Sequence, residues 1–445
     1  MIPFGYIVND YIIILYLIGC IASHRACGYT LSGMRIDGTV RLTTVVWHPQ
    51  TRYDKSDDLP ETDYRGGGIK IMSDKENTMK TFRFFAGTHA SAGQDSLCLC
   101  EADFQEAAFT ELYTMREISD PTYLALSPDR ILYTFGKTAA GVSVYAIRDQ
   151  VVLNSLPCAS GGPCHISVDE RGEFLLVAGY GSGTVSLYDL NTDGSIRSLC
   201  DSRQYRGVGF DSEDRQKGPH AHFSVFHPER DEVLVCDLGL DTVNVYELDR
   251  SAHKLRETNR TIRLPDGSGP RHLAFSDKHP GMLFVLTEMA NTIFTYRYDS
   301  ESDKYVLVQQ ISAVCDGASC ASPSDPALMQ PPTADNGSIG CAIRFTTDGK
   351  YLFVSSRLGY QSISAFRCDP DGKLCFVSRC LCGGITPRDF NVFESDDPSD
   401  QVAHLLVANQ DSDLITALRF DRRAEKLSLL DMKMQAVKPT CILPV

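Results

Sequence analysis

From about residue 77 to the C-terminus the chain alternates short apolar runs with polar turns, and that alternation itself repeats. The central run of each unit is almost continuously apolar: ILYTFG (131–136), FLLVAGY (174–180), VLVCDLG (233–239), MLFVLTE (282–288), YLFVSSR (351–357) and HLLVANQ (404–410). The run that follows each one alternates apolar and polar positions: VSVYAI, TVSLYDL, TVNVYELD, TIFTYRYD, SISAFRCD and LITALRFD. The turns between them, SPDR, VDERGE, HPERDE, SDKHPG and TTDGK, use Asp, Gly and Pro, residues whose local bonding or fixed φ reverses a chain. β-branched and aromatic residues dominate, and no long segment keeps a 3.6-residue period, so the elements are strands.

These runs make six copies of a unit of about 40–70 residues, the size of a propeller blade. A seventh is implied at the ends, where 81–101 (TFRFFAGTHASAGQDSLCLCE) supplies early strands and 440–445 (TCILPV) a lone closing strand. Pairing the two ends closes the ring and removes exposed sheet edges. The fold class expected is all-β, a seven-bladed β-propeller over residues 77–445. A β-sandwich with insertions would not explain so regular a repeat.

Residues 1–76 stand apart as an N-terminal extension. Within it, 11–22 (YIIILYLIGCIA) is about as long as a signal-peptide core and short for a bilayer span, yet no basic residue precedes it. A signal or anchor, a buried appendage and a mis-called gene start all fit. Residues 40–76, rich in Asp, Thr and Gly, have the character of a linker. For the propeller itself the expectation is a cytoplasmic monomer with no membrane partner.

Composition narrows the partners. Hydrophobic residues make up 43% and charged residues 22% of the chain, enough apolar material for a large core. A net charge of −14 argues against a nucleic-acid partner, which calls for a basic footprint. A small anionic ligand in a local basic pocket is still compatible with it. The sixteen cysteines form no Cys-x-x-Cys pair, and Cys380-Leu-Cys382 lacks zinc-site partners. Cys98, Cys100, Cys236 and Cys375 lie in apolar runs where a thiol packs as a small hydrophobe. In an oxidising compartment Cys158 could pair with Cys164, or Cys315 with Cys320. No metal site and no cofactor are expected.

Blade geometry then gathers chemistry at one place. The innermost strand of a blade runs one way and the next returns, so the start of the first and the end of the second share one rim of the channel. Successive blades bring His165 with Tyr180, then His220 and His222 with Asp237. Arg271 and His272 follow with Glu288, then Arg357, then Arg388 with Gln410. Three arginines and four histidines thus face two carboxylates, a local bias opposite to that of the whole chain. Arginine's fork suits carboxylate or phosphate. Two long connections, 191–219 and 312–340, also cross this rim, as lids and disordered surface insertions equally do.

The segments GPHAHFSVFHP, CDLGLDTVNVYELD, GPRHLAFSDKHPGMLFVLTEMANTI, FTTDGKYLFVSSRLGYQSISAF and TPRDF with LLVANQDSDLI resemble the seven-bladed lactonase family over residues 80–445. That family includes bacterial-type 6-phosphogluconolactonases and fungal carboxy-muconate lactonizing enzymes. The resemblance implies an active site of a His, two Arg and a Glu, falling here on His222, Arg271, Glu288 and Arg357. Gly179 departs from the many relatives that have Asn there. The activity implied is hydrolysis of a sugar-derived lactone, 6-phosphogluconolactone foremost, without metal and within the pentose phosphate pathway. Arg271 and Arg357 would hold the substrate's anionic group and developing charge. His222 would act as general base or acid, and Glu288 would orient it or serve as the base itself. His165, His220, His272, Arg388 and Gln410 are expected as substrate contacts. A carboxy-muconate-type enzyme would use the same residues, and a non-catalytic protein-binding propeller is the rival from another class.

Overall fold

The computed structural model describes residues 81–314, 337–397 and 399–445, together with four strands nearer the N-terminus. The chain divides into two units, Met1–Ser73 and Asp74–Val445. In the first, Phe4–Val8 pairs with Tyr11–Leu15 and Tyr29–Ile36 with Thr39–Trp47. The apolar run at 11–22 therefore begins as a hairpin strand, and its remainder lies outside the described residues. The segment read as a linker from residue 40 opens inside a strand. No helix among the described residues is long and apolar enough to cross a membrane.

The second unit is built from seven antiparallel sheets, one per blade. Blade 1 joins Thr81–Thr88, Leu97–Asp103 and Ala108–Met115 to the C-terminal strand Pro439–Pro444, whose Ile442 pairs with Ala86. The ring closes through that pairing, as the terminal strands predicted. The innermost strands of blades 2 to 7 are Leu124–Leu126, Pro163–Val168, Ala221–Phe226, Pro270–Ala274, Ile339–Phe345 and Pro387–Glu394.

The near-continuous apolar runs now have a physical cause. Phe174–Gly179, Glu232–Asp237 and Met282–Thr287 are buried along their whole length, because both faces of each sheet pack on a neighbouring sheet. Seven hydrophobic clusters result, each spanning one blade-to-blade seam. Phe84, Cys100 and Ile442 of blade 1 meet Phe393 and Leu406 of blade 7, so the ring is sealed by packing as well as by hydrogen bonds.

Cysteine placement follows the same logic. Cys98, Cys100 and Cys236 are buried free thiols, and Cys375 is partly buried. Cys158 and Cys164 do not pair: the Cys158 thiol lies 3.3 Å from Ser160 O, and that of Cys164 lies 3.3 Å from His222 O. Cys315 and Cys320, with most of the 312–340 connection, lie outside the described residues.

Candidate active site

The residues at the channel are presented by a repeated backbone device. The innermost strands of six blades carry a register shift near their starts, between Pro163 and His165, Ala221 and Phe223, Pro270 and His272, Gly340 and Ile343, Pro387 and Asp389, and Pro439 and Cys441. A bulge leaves one residue outside the ladder and re-aims it. The bulged positions include Cys164, His222, Arg271, Cys341, Arg388 and Thr440. Three of the residues singled out from sequence therefore occupy equivalent places in three blades.

Glu288 is the hub. Its Oε2 accepts from Arg271 Nε at 2.8 Å and lies 3.2 Å from Arg357 Nη2, while Oε1 accepts from Arg215 Nη2 at 2.5 Å. Burial opposes its ionisation, but Arg357, Arg271 and their neighbours hold its carboxyl well below the usual range. Arg271 is further engaged through Nη1, which donates to the Cys341 carbonyl and to His272 Nε2 at 3.0 Å. A guanidinium can only donate, so His272 Nε2 accepts and that ring is neutral, with its proton on Nδ1.

Among the described residues Arg388 has no hydrogen-bond or ion-pair partner. Burial and the charges of Arg271 and Arg357 push it down to about 10, a cation held beside other cations. Four guanidiniums thus surround one carboxylate. His222 lies among them. Burial first, then Arg271, hold its imidazole well below 6.5, so it is neutral, and its Nδ1 is buried without a hydrogen-bond partner among the described residues.

The other histidines continue the wall. His272 and His222 have ring centres 5.5 Å apart, and His165 lies 6.0 Å from His272. His165 packs between Tyr123 and Phe223 and is likewise held neutral by burial. His220 stacks on Tyr180 at 4.2 Å and donates from Nδ1 to the Tyr180 carbonyl at 2.7 Å.

Two expected rim residues do not join this cluster. Asp237 binds the backbone N–H groups of His220, Gly239 and Leu240 through Oδ1, which makes it a turn former. Among the described residues Gln410 hydrogen-bonds Asp411 Oδ1 through its side chain and Thr386 O through its backbone N–H. Two arginines escaped the sequence reading. Arg215 comes from the long 191–219 connection, whose length was its only signal. Arg344 lies deeper, on Tyr123 Oη and Asp389 Oδ1, both at 3.1 Å. The Cys164 thiol is pushed up to about 12 by burial and is no nucleophile near neutral pH. Among the described residues no group of three or more His, Cys, Asp or Glu is placed to hold a metal ion.

The same arrangement can be set beside known proteins. The chain is 30% identical over 366 residues to the 6-phosphogluconolactonase of Bacillus subtilis, covering 80% of this chain and 97% of that one. A crystal structure of a Lactobacillus plantarum protein superposes with a TM-score of 0.69 at 27% identity, over 82% of this chain and 99% of its own. The periplasmic gluconolactonase of Pseudomonas aeruginosa shares the fold, with a TM-score of 0.68 at 21% identity over 82% of this chain and 99% of that one. The family described as "Lactonase, 7-bladed beta-propeller" matches residues 83–444, and the chain belongs to that family.

Proposed function

We propose that this protein hydrolyses a sugar-derived lactone bearing an anionic substituent, with 6-phosphogluconolactone as its first substrate. The observation that carries this is Arg388, a guanidinium without a hydrogen-bond or ion-pair partner among the described residues, beside Arg271, Arg357 and the neutral His222. An uncompensated cation in a channel is a receptor for negative charge, whether brought by the ligand or developed during reaction. The 6-phosphogluconolactonase of Bacillus subtilis points to the same substrate class.

In the proposed reaction His222 takes a proton from water as its oxygen bonds to the lactone carbonyl carbon. The carbonyl oxygen becomes an oxyanion facing Arg388 and Arg357. Ring C–O cleavage then releases an alkoxide, and His222 returns the proton to it, leaving a hydroxy acid. An imidazolium among arginines is a strong acid, which favours that return. Glu288, ionised and bound by three guanidiniums, is a poor base; its part is to fix Arg271 and Arg357. His165 and His272 support the wall around His222. Arginine supplies the positive charge, and no step calls for a metal.

The test is hydrolysis of fresh 6-phosphogluconolactone by the full chain, read against spontaneous opening. Arg388→Met and His222→Asn serve as controls. The expected result is acceleration that falls at least about 100-fold in each variant. Its acid limb lies below pH 6.5, because His222 keeps its base form there. A folded wild-type protein that gives no acceleration overturns the proposal.

A further inference from the structure

One residue of the Glu288 cluster does not belong to any blade. Arg215 sits in the connection between Ile196–Gln204 of blade 3 and Ala221–Phe226 of blade 4. This connection is tied down. Gln216, wholly buried, donates from Nε2 to Leu238 O at 2.8 Å and accepts from Asp211 N at 3.0 Å through Oε1. Arg215 N donates to Asp211 Oδ2 at 3.1 Å, and Gly209 N to Gln216 O at 2.9 Å. A side chain at Gly209 would start 2.2 Å from Gly239 O, so the backbone presses directly on the blade 4 turn. Arg215 is therefore aimed by a built strap.

The three guanidiniums on Glu288 differ in what they leave free. The Arg271 and Glu288 side chains are 2% exposed, Arg357 is 15% exposed and Arg215 is 33% exposed. Arg271 and Arg357 already hold Glu288 Oε2, and Arg215 adds a third cation on Oε1. Arg215 also lies beside Tyr180, whose ring stands edge-on to His222 with centres 5.7 Å apart. A substrate whose reacting end reaches His222 and Arg388 would leave its far end at the more open side of the cluster, where Arg215 stands.

We infer that, in the lactone hydrolysis proposed above and resting on it, Arg215 is the specificity-determining residue that reads a phosphate monoester on the substrate's far end. Arginine's fork matches two phosphate oxygens, and a dianion is the ligand that can draw Arg215 from a carboxylate already served by two other arginines. Glu288 stays ionised and in place through Arg271 and Arg357. The strap thus gives the channel a second anion receptor, separate from the one at the reacting carbonyl.

The test compares kcat/KM for 6-phosphogluconolactone and for unphosphorylated glucono-δ-lactone in the full-length wild type and in Arg215→Met and Arg215→Lys. In Arg215→Met the preference for the phosphorylated lactone should fall about 10- to 100-fold, mostly through KM, with Arg215→Lys intermediate. Equal losses on both lactones would make Arg215 a prop for Glu288, and an unchanged preference would remove it from recognition; either result overturns the inference. Calorimetric binding of 6-phosphogluconate against gluconate gives a readout independent of turnover. Should no lactone be hydrolysed, the proposed activity fails. Wild-type preference for the phosphorylated acid, lost in Arg215→Met, would then still support Arg215 as the phosphate reader, and no such preference would overturn it.

Discussion

Arg271 and Glu288 form a 2.8 Å ion pair in which both side chains are only 2% exposed. Buried pairs are costly to break from one side, because the remaining charge loses its partner while still out of water. Glu288→Gln would leave four neighbouring guanidiniums without a carboxylate. That variant should lose about 3–5 kcal/mol of stability in urea unfolding along with its activity. A loss below about 1 kcal/mol would mean that the arginines find other partners or water.

Arg388→Met should separate stability from activity. Removing a guanidinium that repels Arg271 and Arg357, and that makes no ion pair among the described residues, should stabilise the fold, on the order of 1 kcal/mol. Turnover should fall by about 100-fold or more, as when one oxyanion donor is deleted. A higher Tm with lower kcat is the signature of charge stored for a ligand. A lower Tm would show that Arg388 is structural.

Stability should decline as pH drops below about 6.5. Burial holds His165, His222 and His272 well below that value and His227 down to about 4. The unfolded chain takes up these protons as pH falls through 6.5 and the native chain does not, so each depressed histidine removes stability in that window. Asp237, pushed up to about 6 by burial, acts in the opposite sense, as do Asp241 and Asp389, whose carboxyls are also raised. Asp237 is half protonated only near pH 6, and the four depressed histidines outnumber the three raised carboxyls, so between pH 7.5 and 6 the histidines dominate. Calorimetry over that range should show a falling Tm; a flat or rising Tm would mean the imidazoles are protonated in the native state.

Gly179→Asn should destabilise by about 1–3 kcal/mol, the cost of overpacking. A Cβ there would stand 2.7 Å from Ser182 Oγ, 2.8 Å from Ser160 Cβ and 2.9 Å from Thr184 Oγ1. A side chain at Gly179 would therefore require Ser160, Ser182 or Thr184 to shift. Thermal melts of the variant check this, and an unchanged Tm would show that they shift at little cost.

The blades were legible because propeller packing imposes a local signature. Each second strand is covered on both faces, so runs such as FLLVAGY and MLFVLTE are apolar throughout, and Asp/Gly/Pro turns mark their ends. The rim was legible for a related reason: strand direction alone places His222, Arg271 and Arg388 at one end of the channel. A bulge signal was also present, since Pro163, Pro270, Pro387 and Pro439 each stand immediately before the register shift, where a strand needs no N–H.

The rest depended on distances that no strand pattern carries. Asp237 sits at the same rim as Glu288 in sequence terms, yet its oxygen is committed to three backbone N–H groups. Glu288 instead meets three arginines, one of them, Arg215, from a connection with no periodicity to read. By itself the sequence determined the seven-bladed ring and its closure by the two ends, because alternation, turns and strand direction are local properties; the set His222, Arg271, Glu288 and Arg357 was what the family resemblance implied. Only the tertiary structure decided which charges pair, which imidazoles stay neutral and which guanidinium is left unpaired. Those outcomes depend on burial and on Coulomb interactions over a few ångströms between residues far apart in the chain.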